Sequence, residues 1–215
     1  MMCFQDSKPH IAFYDNKQSH CWIVISGWGI LAEFMIKPPL ASNMLYISDY
    51  NPFTLKNHLK NLLSTYAIKS YSVLGISMGG LWLSQHQSLF SNAQEFIYLG
   101  IRDTYTDDVL QPIVALLHQD LSSCLSHFYR NCCATSNQAN QLIQNHKLHL
   151  FNKHTLLEGL NFLKSTRFHV KQSCDKVRFF HGALDRISPV KGIKWINPNN
   201  LTIVQRKGHL FSPWN

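Results

Sequence analysis

The chain has 215 residues, 45% of them hydrophobic, enough for one compact domain with a sizeable core and too few for a second independent one. Its 20 Lys and Arg against 12 Asp and Glu give a formal net charge of +8, which favours acidic partners; no helix-turn-helix, zinc finger or aromatic RNA-binding strand accompanies it, so nucleic acid is not expected. The longest apolar stretches, such as 21–25, fall far short of the roughly 20 residues a bilayer span needs. The first twenty residues mix acid, base, Pro and His without the layout of a secretory signal, and the cysteines at 3, 21, 124, 132, 133 and 174 show neither CxxC spacing nor disulfide density. A cytoplasmic chain with reduced, packed thiols and no membrane span is expected.

Along the chain, strand-like and helix-like segments alternate as in an α/β sheet. CWIVIS (21–26), MLYIS (44–48) and YSVLGI (71–76) read as buried strands, each followed by turn or helix-start residues. Between the second and third, 53–66 places Leu55, Leu59, Leu62, Leu63 and Tyr66 at helical spacing, as a crossover helix does. EFIYLGI (95–101), VRFFHG (177–182) and LTIVQ (201–205) follow as later strands, giving at least six, mostly parallel. The segment 102–170 carries no buried strand pattern; its clearest helices are 110–129 and 138–150. Its length exceeds one crossover connection, and an all-helical insert at this point reads as a lid over the site, between core portions of about 1–101 and 171–215.

The segment Gly75-Ile76-Ser77-Met78-Gly79-Gly80 matches G-x-S-x-G between an apolar strand and a helix-compatible run at 81–87. That is the nucleophile elbow of α/β-hydrolases, a strained turn that projects a serine oxygen at a helix N-terminus. A serine hydroxyl needs a base to take its proton and a third group to orient that base. In this fold the order is Ser, then Asp or Glu, then His. Asp185 follows the strand 177–182 through a Gly turn, at the carboxyl end, and is the expected acid; Asp175 precedes that strand and would sit at the wrong end. His209 follows the last strand and is the expected base, whereas His181, on the acid strand itself, reads as packed or hydrogen-bonded. His146, His149 and His154 have no carboxylate or cysteine at ligand spacing and read as exposed helix residues, so no metal is expected. The oxyanion donors should be the backbone N–H groups of Met78, after the nucleophile, and Trp28, in Ser26-Gly27-Trp28-Gly29 after the first core strand; Trp28 can also be a wall residue.

With these pieces in place, the chain resembles the pimeloyl-[acyl-carrier-protein] methyl ester esterases of biotin synthesis, particularly their short branch. The resemblance is carried by Gly27-Trp28-Gly29, Asp49-Tyr50, Ser77-Met78-Gly79, Phe128-Tyr129-Arg130-Asn131-Cys132 and Gly208-His209-Leu210-Phe211-Ser212. Two features depart from it: Ser26 stands where larger relatives have His, and only 210–215 follow the histidine where most α/β-hydrolases continue into a helix. The resemblance implies a three-layer α/β-hydrolase sandwich with a helical lid. It also implies a cofactor-free esterase that cleaves the methyl ester of a pimeloyl chain on an acyl-carrier protein. Arg130, Lys147, Lys153, Lys164 and Arg167 in the lid segment are the candidate contacts for that acidic carrier. A general carboxylesterase or thioesterase, and a decayed hydrolase serving as a binding module, fit the same residues.

Overall fold

In the computed structural model, which describes residues 8–37, 39, 42–145, 150–169 and 175–214, the apolar runs pair into one sheet. Its strands are β1 (His10–Tyr14), β2 (His20–Ile25), β3 (Asn43–Ser48), β4 (Ser70–Ile76), β5 (Phe96–Leu99), β6 (Val177–Gly182) and β7 (Leu201–Val204), in the spatial order β1-β3-β2-β4-β5-β6-β7. All neighbours run parallel except β1 and β3. Strands β2 to β5 are buried almost throughout, which is why they read as continuous apolar runs rather than alternating ones.

The first strand was not foreseen. Its apolar stretch is only Ile11, Ala12 and Phe13, half-buried at the sheet edge. The strand is held by its register on β3, from His10 opposite Ser48 to Tyr14 opposite Met44, and by Phe13 stacked on Tyr66 with ring centroids 4.6 Å apart. An edge strand with one short apolar run carries too weak a pattern to stand out by itself.

The path from β2 to β3 goes to one side of β2, and helix α1 (Leu55–Thr65) then carries the chain across to β4 on the other side. The strand order therefore reverses between β2 and β4, and in open α/β sheets the crevice at the carboxyl ends beside such a reversal is where ligands bind. Register aligns those ends: Ile25 lies opposite Gly75, Ile76 opposite Leu99, Leu99 opposite Phe180 and Gly182 opposite Val204. The loops after five consecutive strands thus open on the same edge. At that edge Ser77 leads directly into helix α2 (Met78–His86).

Between β5 and β6 come α3 (Asp107–Gln119), α4 (Leu121–Cys132), α5 (Ser136–Asn145) and α6 (Lys153–Ser165). Where the apolar spacing predicts one helix over 110–129, there are two. Asp120 is extended at φ −153°, ψ 114°, and its carboxylate accepts from the N–H groups of Ser122 and Ser123 at 3.1 and 3.0 Å; this N-cap restarts the helix where periodicity alone would carry it through. The helix expected over 138–150 ends at Asn145, and 146–149 lie outside the described residues. Helix α6, not singled out in the sequence, starts at an Asn152 cap whose Oδ1 accepts from the N–H groups of His154 and Thr155. Among the described residues, no helix is long and apolar enough to cross a membrane.

Candidate active site

Ser77 sits at the β4–α2 turn with φ 50° and ψ −115°, a left-handed backbone rare for a residue with a side chain. The turn is held by the Ser77 N–H donating to the Leu99 carbonyl at 2.8 Å and the Leu81 N–H donating to the Ser77 carbonyl at 3.0 Å. It closes only because Gly79 has no side chain: a Cβ there would lie 2.1 Å from the Ile25 carbonyl oxygen. The G-x-S-x-G spacing is thus a steric requirement of this crossing. Ser77 itself is 6% exposed.

Asp185, in the turn after β6, is fully desolvated on its side chain. Its Oδ1 accepts from the backbone N–H groups of Ile187 and Ser188 at 2.9 and 2.7 Å, and its Oδ2 faces Nδ1 of His209 at 2.7 Å. A carboxylate acceptor fixes the Nδ1–H tautomer, leaving Nε2 of His209 as the free lone pair. That Nε2 is buried and has no hydrogen-bond partner among the described residues, an unusual state for a buried polar atom and the one expected of a base awaiting a proton. His181 also touches the carboxylate, its Nε2 lying 3.4 Å from Asp185 Oδ2 and 2.5 Å from the Ser188 carbonyl. Both neighbours are acceptors, so Nε2 carries the proton. Burial pushes the His181 imidazole below the ordinary histidine value, against the opposing pull of Asp185, which keeps it neutral: a hydrogen-bonded prop for the acid loop. Asp175 lies before β6, at the opposite end of that strand from Asp185.

The loop after β2 runs against the nucleophile turn; a Cβ on Gly27 would stand 3.2 Å from that of Ser77. Trp28 follows, and Met78 is the first residue of α2, whose N–H has no partner within the helix. The Trp28 indole is clamped by the insert, with Nε1 donating to the Leu156 carbonyl at 2.7 Å and the ring edge-on to Phe128 at 5.0 Å. It is a wall residue, next in the chain to Gly27, and lines the same cavity as Ser77.

Helix α4 joins two of these loops. The Tyr129 hydroxyl donates to the Gly29 carbonyl at 2.7 Å, and three residues on the Cys132 carbonyl accepts from the His209 N–H at 2.7 Å. This gives the sequence segment 128–132 a definite task, holding the Trp28 loop with one residue and the histidine loop with another.

Above Ser77 opens a cavity of about 540 Å³, within the range of small-molecule sites. Trp28 and Phe128 wall it together with apolar side chains of α3 and α6, while Arg102, Tyr105, Arg186 and Lys191 come from the loops after β5 and β6. Burial pushes the Tyr105 phenol up to about 12, with the neighbouring Ser77 hydroxyl acting in the opposite direction. The sequence reading did not single out these four; their signal was position, since each follows the carboxyl end of a central strand.

Of the candidate carrier contacts, none borders the cavity among the described residues. Arg130 and Arg167 are exposed, Lys153 donates to the His118 carbonyl at 2.9 Å, Lys164 pairs with Asp107 at 2.8 Å, and Lys147 lies outside the described residues. His154 is exposed on α6, and His146 and His149 lie outside the described residues. No group of three His, Cys, Asp or Glu side chains that could hold a metal ion occurs among the described residues. Cys21, Cys124, Cys132 and Cys133 are buried and unbridged, burial pushing the thiols of Cys21 and Cys124 up to about 12 and about 11; Cys3 and Cys174 lie outside the described residues.

No protein-family model matches the chain, and no curated protein sequence matches it. Solved structures do. An esterase from Exiguobacterium antarcticum superposes with a TM-score of 0.73 at 16% identity, covering 94% of this chain and 88% of that one. A bromoperoxidase from Bacillus anthracis superposes at 0.74 and 14% identity, covering 94% and 89%, and BioG from Haemophilus influenzae at 0.64 and 14%, covering 93% of both chains. Identities this low speak for the fold alone, and with the strand order, the left-handed serine turn and the insert after β5 they establish that the chain has the α/β-hydrolase fold.

Proposed function

We propose that the protein is a serine esterase in which Ser77 is the nucleophile, His209 the general base and Asp185 the acid that orients it. The observation that carries this is the buried His209 ring, held at Nδ1 by Asp185 at 2.7 Å and, among the described residues, unpartnered at Nε2, together with a cavity that Ser77 lines. His209 Nε2 takes the Ser77 proton as Oγ attacks the ester carbonyl. The N–H groups of Trp28 and Met78 stabilise the resulting oxyanion. Collapse breaks the bond to the alkoxy oxygen, which leaves as an alcohol with the proton from His209. Water, deprotonated by the same nitrogen, then attacks the acyl-serine, and the acid departs as Ser77 recovers its proton.

For the substrate, we propose the methyl ester of a pimeloyl chain on an acyl-carrier protein, so that the products are methanol and the free terminal carboxylate, as a step of biotin synthesis in the cytoplasm. Support comes from the resemblance along five segments of the sequence and from the mainly apolar cavity above Ser77, which suits an acyl chain. Exposed Arg130 and Arg167 remain available to the acidic body of such a carrier.

The test is Ser77→Ala. Removing a triad nucleophile costs roughly 10⁶-fold in kcat in a serine protease, so hydrolysis of both p-nitrophenyl acetate and the carrier-bound methyl ester should disappear, together with labelling by a fluorophosphonate, while the circular dichroism spectrum is retained. Ester hydrolysis surviving at near the parent rate would end the mechanism.

A further inference from the structure

The walls of the cavity above Ser77 differ in character by origin. The insert contributes Val109, Leu110, Ile113 and Leu116 from α3 and Leu160 and Leu163 from α6. The core contributes the charge: Arg102 from the loop after β5, Arg186 beside the acid turn after β6, and Lys191 in the short 3-10 helix Val190–Ile193. No Asp or Glu borders the cavity among the described residues; Asp108, which feels the charge of Arg102, is exposed on α3. Strands β5 and β6 are neighbours in the sheet, so the loops that bring the three cations to the cavity are adjacent. Depth separates them from the chemistry. Arg186 and Lys191 are exposed and Arg102, its guanidinium 5.3 Å over the Tyr105 ring, is half-buried, whereas Ser77 lies at the buried end.

We infer that this cationic wall binds a phosphate ester on the solvent-facing arm of the substrate, while the acyl chain lies along the apolar insert and its ester end reaches Ser77. This deepens the esterase proposal and rests on it. The reacting ester is neutral and occupies the deep end, so an anion meeting Arg186 and Lys191 must lie on the opposite part of the molecule, at the mouth. Two guanidiniums and an ammonium fit phosphate chemistry, since Arg offers a planar fork of donors to phosphate oxygens and Lys a compact point charge. Phosphate recognition is thereby assigned to the sheet loops, apart from the exposed lid cations.

The test measures binding without turnover. The Ser77→Ala chain is titrated by calorimetry with two methyl-capped acyl thioesters, one of 4′-phosphopantetheine and one of pantetheine, which differ only in the phosphate. The phosphate form should bind about tenfold tighter at low salt, narrowing at high salt, as expected for a few partly exposed ion pairs. In Arg186→Gln/Lys191→Gln the ratio between the two ligands should fall to about one; because both are measured on the same variant, a general loss of folding cannot imitate that change. Equal affinities in the Ser77→Ala chain, no binding of either ligand, or a ratio preserved in the double substitution would overturn the proposal. So would a pantetheine thioester ending in a free carboxylate that matches the phosphate form, since the wall would then be reading carboxylate. Failure of the parent chain to hydrolyse p-nitrophenyl acetate would count against the esterase reading and leave the binding ratio to be judged independently.

Discussion

Asp49, directly after β3, combines a left-handed backbone at φ 42° with a carboxyl group largely removed from water. Its Oδ2 accepts from the N–H of Asn152, the cap residue of α6, at 3.2 Å, while its Oδ1 is buried without a partner among the described residues. Burial pushes the carboxyl up to about 6, against the weaker pulls of the Asn152 N–H and of His10. Between the ordinary value of 3.8 and about 6, the folded chain therefore holds a proton that the unfolded chain has released. Stability consequently falls as pH rises through this window, by up to about 3 kcal/mol, and the penalty is fully present above it. Asn at this position keeps an acceptor for the Asn152 N–H, tolerates the left-handed backbone and carries no charge. Asp49→Asn should raise Tm at about pH 8, and the gain should vanish by about pH 4. Thermal melts of both proteins across that range check it; a loss of stability at the alkaline end would show that the ionised carboxylate is favourable there.

Among the elements, α4 is the one that a flexible-lid picture describes least well. It is tied to the Trp28 loop through Tyr129 and to the histidine loop through the Cys132 carbonyl, so it cannot swing away without loosening both. Tyr129 is fully buried, and Tyr129→Phe removes one hydroxyl while leaving the ring. The Gly29 carbonyl then loses a buried donor, which costs about 1–2 kcal/mol of stability. If the Trp28 N–H serves as an oxyanion donor, a looser loop weakens transition-state binding more than substrate binding. Complete loss of such a donor costs roughly 10²–10³ in kcat, so a displaced one should lower kcat by about tenfold with KM nearly unchanged. Steady-state kinetics together with a melt separate the outcomes: a Tm drop with intact kcat would make Tyr129 a packing residue only. The Phe128-Tyr129-Arg130-Asn131-Cys132 segment was visible in the sequence as a likeness, but its purpose was not. Its partners, Gly29 and His209, lie about a hundred and about eighty residues away, and contacts at that separation leave no periodic trace. The break between α3 and α4 was different: Asp120 followed by two serines is a local cap signal, overridden in reading the segment as one helix because the apolar spacing continued across it.

At the scale of the whole molecule, what could be read from the sequence was what short-range patterns encode: the buried strands, the crossover helix, the serine turn, and the order in which acid and histidine follow it. The wall that carries Arg102, Arg186 and Lys191 was illegible because it exists only once β5 and β6 are neighbours. The residues after His209 are a similar case. Leu210 and Phe211 are buried, the Ser212 hydroxyl donates to the Lys37 carbonyl at 3.3 Å, and the Trp214 ring stands edge-on to Trp22 of β2 at 4.8 Å. The described tail thus packs against β2 as irregular chain that ends in a turn at Pro213 and Trp214. The tail shares the Cys132 carbonyl with the histidine loop only through the longer Leu210 N–H contact at 3.4 Å; the His209 N–H donates to that carbonyl at 2.7 Å and its ring is held by Asp185. Trp214→Ala should therefore reduce stability with little effect on chemistry. An edge-to-face pair contributes about 0.5–1.5 kcal/mol beyond its buried area, and truncating a partly buried Trp removes roughly 2–3 kcal/mol in all, below the 3–5 of a fully buried one. For a chain of this length each kcal/mol moves Tm by roughly 2–4 °C, so a fall of about 4–12 °C is expected, with kcat for p-nitrophenyl acetate well below the melt staying within about twofold, the size of a change too small to involve the triad. A large loss of kcat at unchanged Tm would mean instead that the tail helps to place His209, and that the Trp214–Trp22 contact belongs to the active site.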